Sequence, residues 1–250
     1  MKIIIAIKRV IDYQVDIQVK ADGAGVVRDG VPTAMNPFDE VALEEAIRLK
    51  ESGIASHILA VCVGSSACQK VLNLALAMGA DEGLLLQADD DTEPLIVAKA
   101  MAKLADQRQA DLLLFGKQAI DDGANQTGQM TAALMHCGQA VFVSHLVVDK
   151  ANRRVIATRD TDFGTETLQL SMPAVVTTAL RLNEPRFVSL PQMIKAKKKT
   201  TTVIPLTSLG IDDTQKRLQV LRLRQPKARQ PVVMLDSVEQ LAEVITRVTK

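Results

Sequence analysis

The feature that most constrains this 250-residue chain is the spacing of its short apolar runs. Lys2–Lys8, His57–Val63, Gly83–Gln87, Asp111–Phe115 and Ala174–Ala179 are all strand-sized and mostly apolar along their length. Runs of this kind mark strands buried on both faces of a sheet. Helical patterns fill the gaps between the first four. They are Asp39–Lys50, Ala67–Met78 with Gly79 as a stop, and Thr92–Leu104. In the first, Val41, Leu43, Ala46, Ile47 and Leu49 recur at near-helical spacing. Acids come early and Arg48 and Lys50 late, as the helix dipole favours. Strands alternating with helices at this spacing predict βαβ crossovers. The fold class is therefore α/β, a doubly wound, mostly parallel sheet with helices on both faces.

The pattern changes after Gly138. Ala140–Val148, Arg153–Asp160 and Thr165–Leu170 read as strands with no helix between them, and Asp149–Asn152 as a turn. They are expected as antiparallel additions at a sheet edge. From Asn183 the chain reads as a tail punctuated by Pro185, Pro191, Pro205, Pro226 and Pro231. Val238–Val248 is expected to be an amphipathic helix. Ser237 and Gln240 offer a capping box, and Val238, Leu241, Ala242, Ile245 and Val248 form one stripe. The expected organisation is an α/β domain over 1–183, a short segment over 184–200 and an arm over 201–250. The arm either folds back on its own domain or grips another subunit.

Composition removes several classes of function. Aromatic residues make up 2%, with one tyrosine and no tryptophan, which argues against base-stacking nucleic-acid modules. Thirty Lys and Arg against 29 Asp and Glu leave a formal charge of +1, so no global field draws the chain to DNA or to a membrane surface. No apolar run approaches the ~18 residues of a membrane span. The opening Lys2–Ile7 reads as a strand rather than a secretion signal. Cys62, Cys68 and Cys137 suit neither a disulfide framework nor a zinc site, and are expected to be reduced thiols. His57, His136 and His145 lie in no catalytic or metal motif, and neither a Walker A loop nor G-x-G-x-x-G is present. A chain with a well-specified core and no catalytic set reads as a binding or carrier module, not an enzyme, with no metal expected.

Three stretches carry specific information. Gly116 to Met130 follows a strand and precedes the expected helix Met130–Met135, so it lies at the carboxyl end of a parallel strand, where such sheets bind ligands. Asn125, Thr127 and the N–H groups of the new helix are suited to a phosphate, and Asp122 to a ribose hydroxyl or an amide. The plain alternative is a βα loop capped by Thr127 or Asn125. In Met35-Asn36-Pro37-Phe38-Asp39, Asn36 reads as an N-cap and Pro37 as the first helical residue, with Phe38 expected to be exposed. Leu190 to Lys199 sets Leu190, Met193 and Ile194 beside Lys195, Lys197, Lys198 and Lys199. With Pro185 and Pro191 around it, this stretch is expected to project as a loop. It is either a solvated basic face or an anchor for an acid-rimmed hydrophobic pocket.

Together these stretches resemble one family, the β (small) subunits of electron transfer flavoproteins. The matching strings are Ala6 to Tyr13, Met35 to Phe38, Ala75 to Asp81, Gly116 to Met130, Leu180 to Arg186 and Leu190 to Lys199. The similarity runs from residue 1 to about 210. The resemblance implies a Rossmann-like sheet of the adenine nucleotide alpha hydrolase type, and a heterodimer with an α subunit that mainly carries FAD. It implies a structural AMP touching Ala6, Asn36, Pro37, Phe38, Asp39, Val63 and the loop residues Gly116, Lys117, Gln118, Ala119, Ile120, Asp121, Asp122, Asn125, Gln126 and Thr127. Tyr13 and Phe38 match residues near the flavin of the partner subunit. Leu190 matches the anchor that docks acyl-CoA dehydrogenases, and Lys195 and Lys198 match lysines methylated in some members.

The role so implied is that of an electron carrier subunit in fatty acid β-oxidation. It takes electrons from acyl-CoA dehydrogenases and passes them to a membrane-bound quinone oxidoreductase. The location implied is cytoplasmic in a bacterium or the mitochondrial matrix in a eukaryote, without insertion into the membrane. Gly123-Ala124 stands where many relatives carry a third acid, and the loop resembles the AMP-holding branch rather than the electron-bifurcating one. The alternative is a stand-alone nucleotide-binding regulator of the universal-stress type, which would lack the basic segment and the long tail.

Overall fold

The computed structural model describes residues 1–212, 217–229 and 231–249. The elements, in chain order, are β1 (Lys2–Ile7), β2 (Arg9–Ile11), β3 (Thr33–Met35), α1 (Pro37–Glu51), β4 (His57–Gly64), α2 (Gln69–Met78), β5 (Glu82–Gln87) and α3 (Pro94–Arg108). They continue with β6 (Leu112–Gly116), α4 (Thr127–Leu134), β7 (Gly138–Asp149), β8 (Arg154–Thr161), β9 (Gly164–Ser171), β10 (Ala174–Thr178), α5 (Leu190–Ala196), β11 (Thr201–Pro205) and α6 (Val238–Val248). The chain divides into two compact units, one of residues 1–16 and 28–219 and one of residues 17–27 and 220–250.

The larger unit is built on a nine-stranded sheet in the order β11-β5-β4-β1-β6-β10-β7-β8-β9. All neighbours from β11 to β7 are parallel, as the buried runs predict. Only β7–β8 and β8–β9 are antiparallel, with Leu146 opposite Ala157 and Val155 opposite Leu170. Strand alternation sends Ile3 and Ile5 to one face, against Leu43 and Ile47 of α1 and Leu72 and Leu76 of α2. Ile4 and Leu113 point to the other, against Met101 and Leu104 of α3 and Ala132 of α4. Fully burying one Ile or Leu side chain is worth roughly 1.5–3 kcal/mol, so these two layers, and not the loops, hold the sheet together.

Several boundaries differ from expectation. The helix expected over Asp39–Lys50 starts at Pro37, whose ring suits the first turn. The one expected over Ala67–Met78 starts with a 3₁₀ turn, Ser66–Cys68. The helix expected over Thr92–Leu104 runs from Pro94 to Arg108. The helix expected at Met130 begins at Thr127. Two short strands escaped the pattern, β2 and β3, which pair antiparallel and place Asn36 beside the end of β1. Cys62, Cys68 and Cys137 carry free thiols.

The tail is shorter than its prolines suggest. Thr201–Pro205 joins the sheet as a parallel edge strand on β5, with Val203 beside Leu85, and Leu206 and Leu209 are buried behind it. Residues 201–219 therefore belong to the larger unit, and 17–27 do not. Leu190 to Lys199 is not an open loop either. Pro191 sits in the first turn of α5, where its missing N–H costs nothing, and Gln192 Oε1 accepts hydrogen bonds from Ser189 N–H at 2.7 Å and Oγ at 2.8 Å.

In the smaller unit, Val19 and Val26 form an antiparallel bridge, and Leu223 N–H donates to Gly23 O at 2.8 Å. Gly23 has φ +72°, and a Cβ there would lie 3.2 Å from Leu223 O. Ser237 Oγ caps α6 by accepting from Gln240 N–H at 3.3 Å, while Gln240 Oε1 accepts from Asp236 rather than closing the box on Ser237. Val238, Leu241, Ile245 and Val248 of α6 are exposed. Residues 213–216, 230 and 250 of the expected arm lie outside the described residues.

Candidate functional site

From β1 the chain moves to β4 and β5 on one side, then returns to β6 on the other, so the strand order reverses between β1 and β6. A cleft opens at the carboxyl ends of the strands at this switch point, where open α/β sheets bind their ligands.

The amino end of α1 closes the base of the cleft. Asp39, in the first turn, is buried and accepts two backbone hydrogen bonds. Oδ2 takes Lys8 N–H at 2.8 Å, just past β1, and Oδ1 takes Gly116 N–H at 3.0 Å, the last residue of β6. One carboxylate thus ties together the two strands that flank the switch point. Burial pushes this carboxyl up to about 7, although the two N–H donors and the Lys8 charge favour ionisation. Gly116 is required by this approach, because a Cβ there would collide with Asp39 Oδ1 and lie 2.6 Å from Phe38 Cβ.

Asn36 does not cap α1 with its side chain. Instead it is almost wholly buried and reaches the Gly116 to Met130 loop. Nδ2 donates to Gln118 O at 2.9 Å and Oδ1 accepts from Ile120 N–H at 3.2 Å. Asn36 holds the expected N-cap position, with Pro37 first in the helix, but its amide is spent on these long-range bonds rather than on a cap bond. Phe38 is half-buried, not exposed, because its Cβ packs against Gly116.

The paired acids of the loop share one cation from just past β1. Lys8 Nζ lies 2.8 Å from Asp121 and 3.0 Å from Asp122. Burial works against the Lys8 charge, but Asp121 and Asp122 beside it raise the ammonium above its ordinary range. Asp122 Oδ1 also accepts from Ala124 N–H at 3.0 Å, turning the chain through Gly123 at φ +60° and Asn125 at φ +51°. Asn125 Oδ1 accepts from Gln129 at 2.8 Å. α4 then starts with neither Thr127 nor Asn125 as its cap. Gln126 holds that position without a side-chain bond, so the first N–H groups of the helix face the cleft uncapped.

Of the expected residues, the cleft brings together Ala6, Asn36, Asp39, Val63, Gly116, Lys117, Gln118, Ala119, Asp122, Asn125, Gln126 and Thr127. Pro37, Phe38, Ile120 and Asp121 stand behind or beside it. Tyr13 is 71% exposed in the turn after β2, and Leu190 is 74% exposed on α5. The sequence reading missed Arg9, Cys68, Asp90, Pro94 and Val97, which also line the cleft. Asp90 accepts from Arg9 at 2.5 Å and from Ser65 N–H at 3.1 Å. Burial opposes its charge, but the bonds from Ser65 and Arg9 hold its carboxyl below the usual range. Arg9 Nε is buried and has no hydrogen-bond partner. The signal available for Asp90 was its place just past β5, since every parallel strand ends at the same edge of the sheet.

The model of the electron transfer flavoprotein domain matches residues 24–209. The chain is 47% identical over 241 residues to the electron transfer flavoprotein subunit beta of Bradyrhizobium diazoefficiens, covering 96% of each. The chain belongs to the electron transfer flavoprotein β subunits. The mitochondrial β subunit of Arabidopsis thaliana is 45% identical over 97% of this chain and 96% of its own, and that of Homo sapiens 46% identical over 96% and 95%.

Full-length similarity to β subunits sets aside the stand-alone stress-type regulator. Proteins of this family are electron carrier subunits rather than enzymes, in keeping with the absence of a catalytic motif from the sequence. Among the described residues, no helix of this β subunit is long and apolar enough to cross a membrane.

Proposed function

We propose that this chain is the small subunit of a heterodimeric electron transfer flavoprotein that holds AMP in the cleft at the β1/β6 switch point. The observation that carries the nucleotide is the uncapped start of α4, aimed into a cleft whose acids are already paired. Donors there include the first N–H groups of α4, Thr127 Oγ1 and the Asn125 and Gln126 amides. Such a set suits a phosphate. The buried Arg9 Nε, with no partner, adds a cationic donor on the cleft wall. Ala6, Val63, Pro94 and Val97 give an apolar wall suited to a base. The approach of Thr177 Cγ2 to within 2.5 Å of a Cβ built on Gly128 leaves this turn of α4 no room for a side chain.

The flavin, FAD, mainly bound by an α subunit, supplies the redox chemistry of such a heterodimer. The residues of this chain do structural and recognition work. Lys8, Asn36 and Asp39 fix the loop on the sheet, and the nucleotide completes it. Tyr13, exposed in the turn after β2, and Phe38 are the residues of this chain assigned to approach the flavin. The exposed apolar stripe of α6 and the neighbouring residues Leu221, Val232, Val233 and Met234 suit packing of the arm on the α subunit. Leu190, with Lys195 and Lys198 beside it, suits docking of acyl-CoA dehydrogenases, from which electrons pass to a quinone oxidoreductase in fatty acid β-oxidation.

Acid extraction of the purified heterodimer, followed by chromatography, tests the assignment. One AMP and one FAD per dimer are expected, and Thr127→Ala should lower AMP retention while leaving the flavin potential unmoved. Two FAD and no AMP, or a potential that moves sharply with AMP retained, would overturn it.

A further inference from the structure

The segment that carries Leu190 is fastened at both ends, and the fastenings use residues that no role yet described requires. Upstream, Arg186 grips α1 with both edges of its guanidinium. Nε and Nη2 donate to Glu44 at 2.7 and 3.1 Å, and Nη1 and Nη2 to Glu51 at 2.6 and 3.0 Å. Glu44 is buried and is also held by Arg48, 2.8 Å away, whose Nη2 donates to Glu184 O at 3.0 Å. Asn183 Nδ2 donates to Val41 O and to Glu45. Val188 packs on the core.

Downstream, Lys199 differs from the lysines before it. Lys195, Lys197 and Lys198 are exposed and form no ion pair among the described residues. Lys199 is half-buried, and its Nζ donates to Leu76 O at 3.1 Å and Ala80 O at 2.6 Å, at the carboxyl end of α2. Those carbonyls lack intrahelical partners, and the dipole favours a cation there. Ala196 is buried beneath the same turn, and two residues after Lys199 the chain enters β11. Between the fastenings the large apolar side chains left outward are Phe187, 90% exposed, Leu190, 74%, and Ile194, 55%, with Met193 at 36%.

A seven-residue helix does not hold itself in water, since isolated helices below roughly 12–15 residues are marginal. Its order must come from its attachments. We infer that Arg186 and Lys199 are positioning residues that keep α5 as a preformed docking element, so that Leu190 meets its partner from a fixed platform rather than from a loop that orders on contact. The inference rests on the docking reading of Leu190. A preformed element spares the interface the entropy of ordering that segment. It also divides the basic cluster: Lys199 is committed to the fold, and the three lysines before it are left to face a partner.

The test uses the intact heterodimer and four variants: Lys199→Met, Arg186→Lys, Leu190→Ala and the double variant Lys199→Met with Leu190→Ala. Two quantities are read, steady-state electron transfer from an acyl-CoA dehydrogenase with the flavoprotein as varied substrate, and amide hydrogen exchange over 190–199. Lys199→Met should raise KM roughly three- to tenfold with kcat unchanged, the signature of lost uniform binding. Exchange over 192–199 should quicken by about tenfold or more, while reduction of the flavin by dithionite stays as it was. In the Leu190→Ala background the same change should add little, because two residues acting through one contact are not additive. Should Lys199→Met fail to assemble, Arg186→Lys, which keeps the charge but loses the fork, carries the same expectations. Unchanged KM and exchange in Lys199→Met, beside a raised KM in Leu190→Ala, would overturn this inference alone. An unchanged KM in Leu190→Ala would overturn the docking reading.

Discussion

Asp39 Oδ1 accepts the Gly116 N–H at 3.0 Å, and the same approach leaves residue 116 no space for a side chain. The carboxylate sits on the first turn of α1 and the glycine at the end of β6, 77 residues later. One hydrogen bond thus fixes where a helix meets the sheet, and does so at the floor of the cleft.

Gly116→Ala should therefore be costly. The added methyl meets Phe38 Cβ, which cannot yield without moving the start of α1. Overpacking of this kind costs typically about 1–3 kcal/mol. Thermal unfolding of the heterodimer should show a drop of several degrees together with loss of bound nucleotide. An unshifted melting temperature would show that α1 can give way.

Asp39 should also shape the pH dependence of stability. Its carboxyl ionises near 7 when folded, against 3.8 as the ordinary value. The folded form then holds more protons than the unfolded form between those values. The stability it contributes is complete below the unfolded value and is lost as pH rises through about 7, with a slope of at most about 1.4 kcal/mol per pH unit. Denaturant titrations from pH 5 to pH 8 should show this loss, and Asp39→Asn should remove that component while lowering stability overall. Parallel curves for the two proteins would refute the assignment.

Lys8→Met leaves Asp122 on the cleft wall, and Asp121 beside it, without their cation. Each ion pair is partly exposed and by itself worth only about 0.2–1 kcal/mol. The larger effect should be repulsion of a bound phosphate. AMP retention should fall at low ionic strength, recover in part with salt, and recover further when Asp121→Asn and Asp122→Asn are added. Equilibrium dialysis with AMP at two salt concentrations measures this directly.

Leu190→Ala should raise the KM for electron uptake from an acyl-CoA dehydrogenase by roughly tenfold, the loss expected of a central apolar anchor worth about 1.4 kcal/mol or more. Reduction by dithionite should be unaffected. Removing charge at Lys195 or Lys198 should instead flatten the dependence of the rate on ionic strength.

The continuous apolar runs already specified β1, β4, β5, β6 and β10 as parallel buried strands, and the helical periodicities specified the elements between them. They did so because burial on both faces demands side chains apolar at every position, a property visible in a few consecutive residues. The run Gly116 to Met130 was legible as a candidate ligand loop for the same reason, since it lies at the carboxyl end of a recognisable strand, and the structure lines a cleft with part of it. Residues 201–205 were not legible as a strand. They bury little and owe their pairing to β5, more than 100 residues earlier. The uses of Asn36, Lys8 and Asp39 were hidden in the same way. Locally Asn36 is a good cap and Asp39 a good first-turn acid, and nothing nearby shows that their polar atoms are taken by residues 118, 120, 8 and 116. Local pattern decides which residues must leave water. Which buried donor meets which acceptor depends on how the chain closes over long sequence distances, and only the tertiary structure decides that.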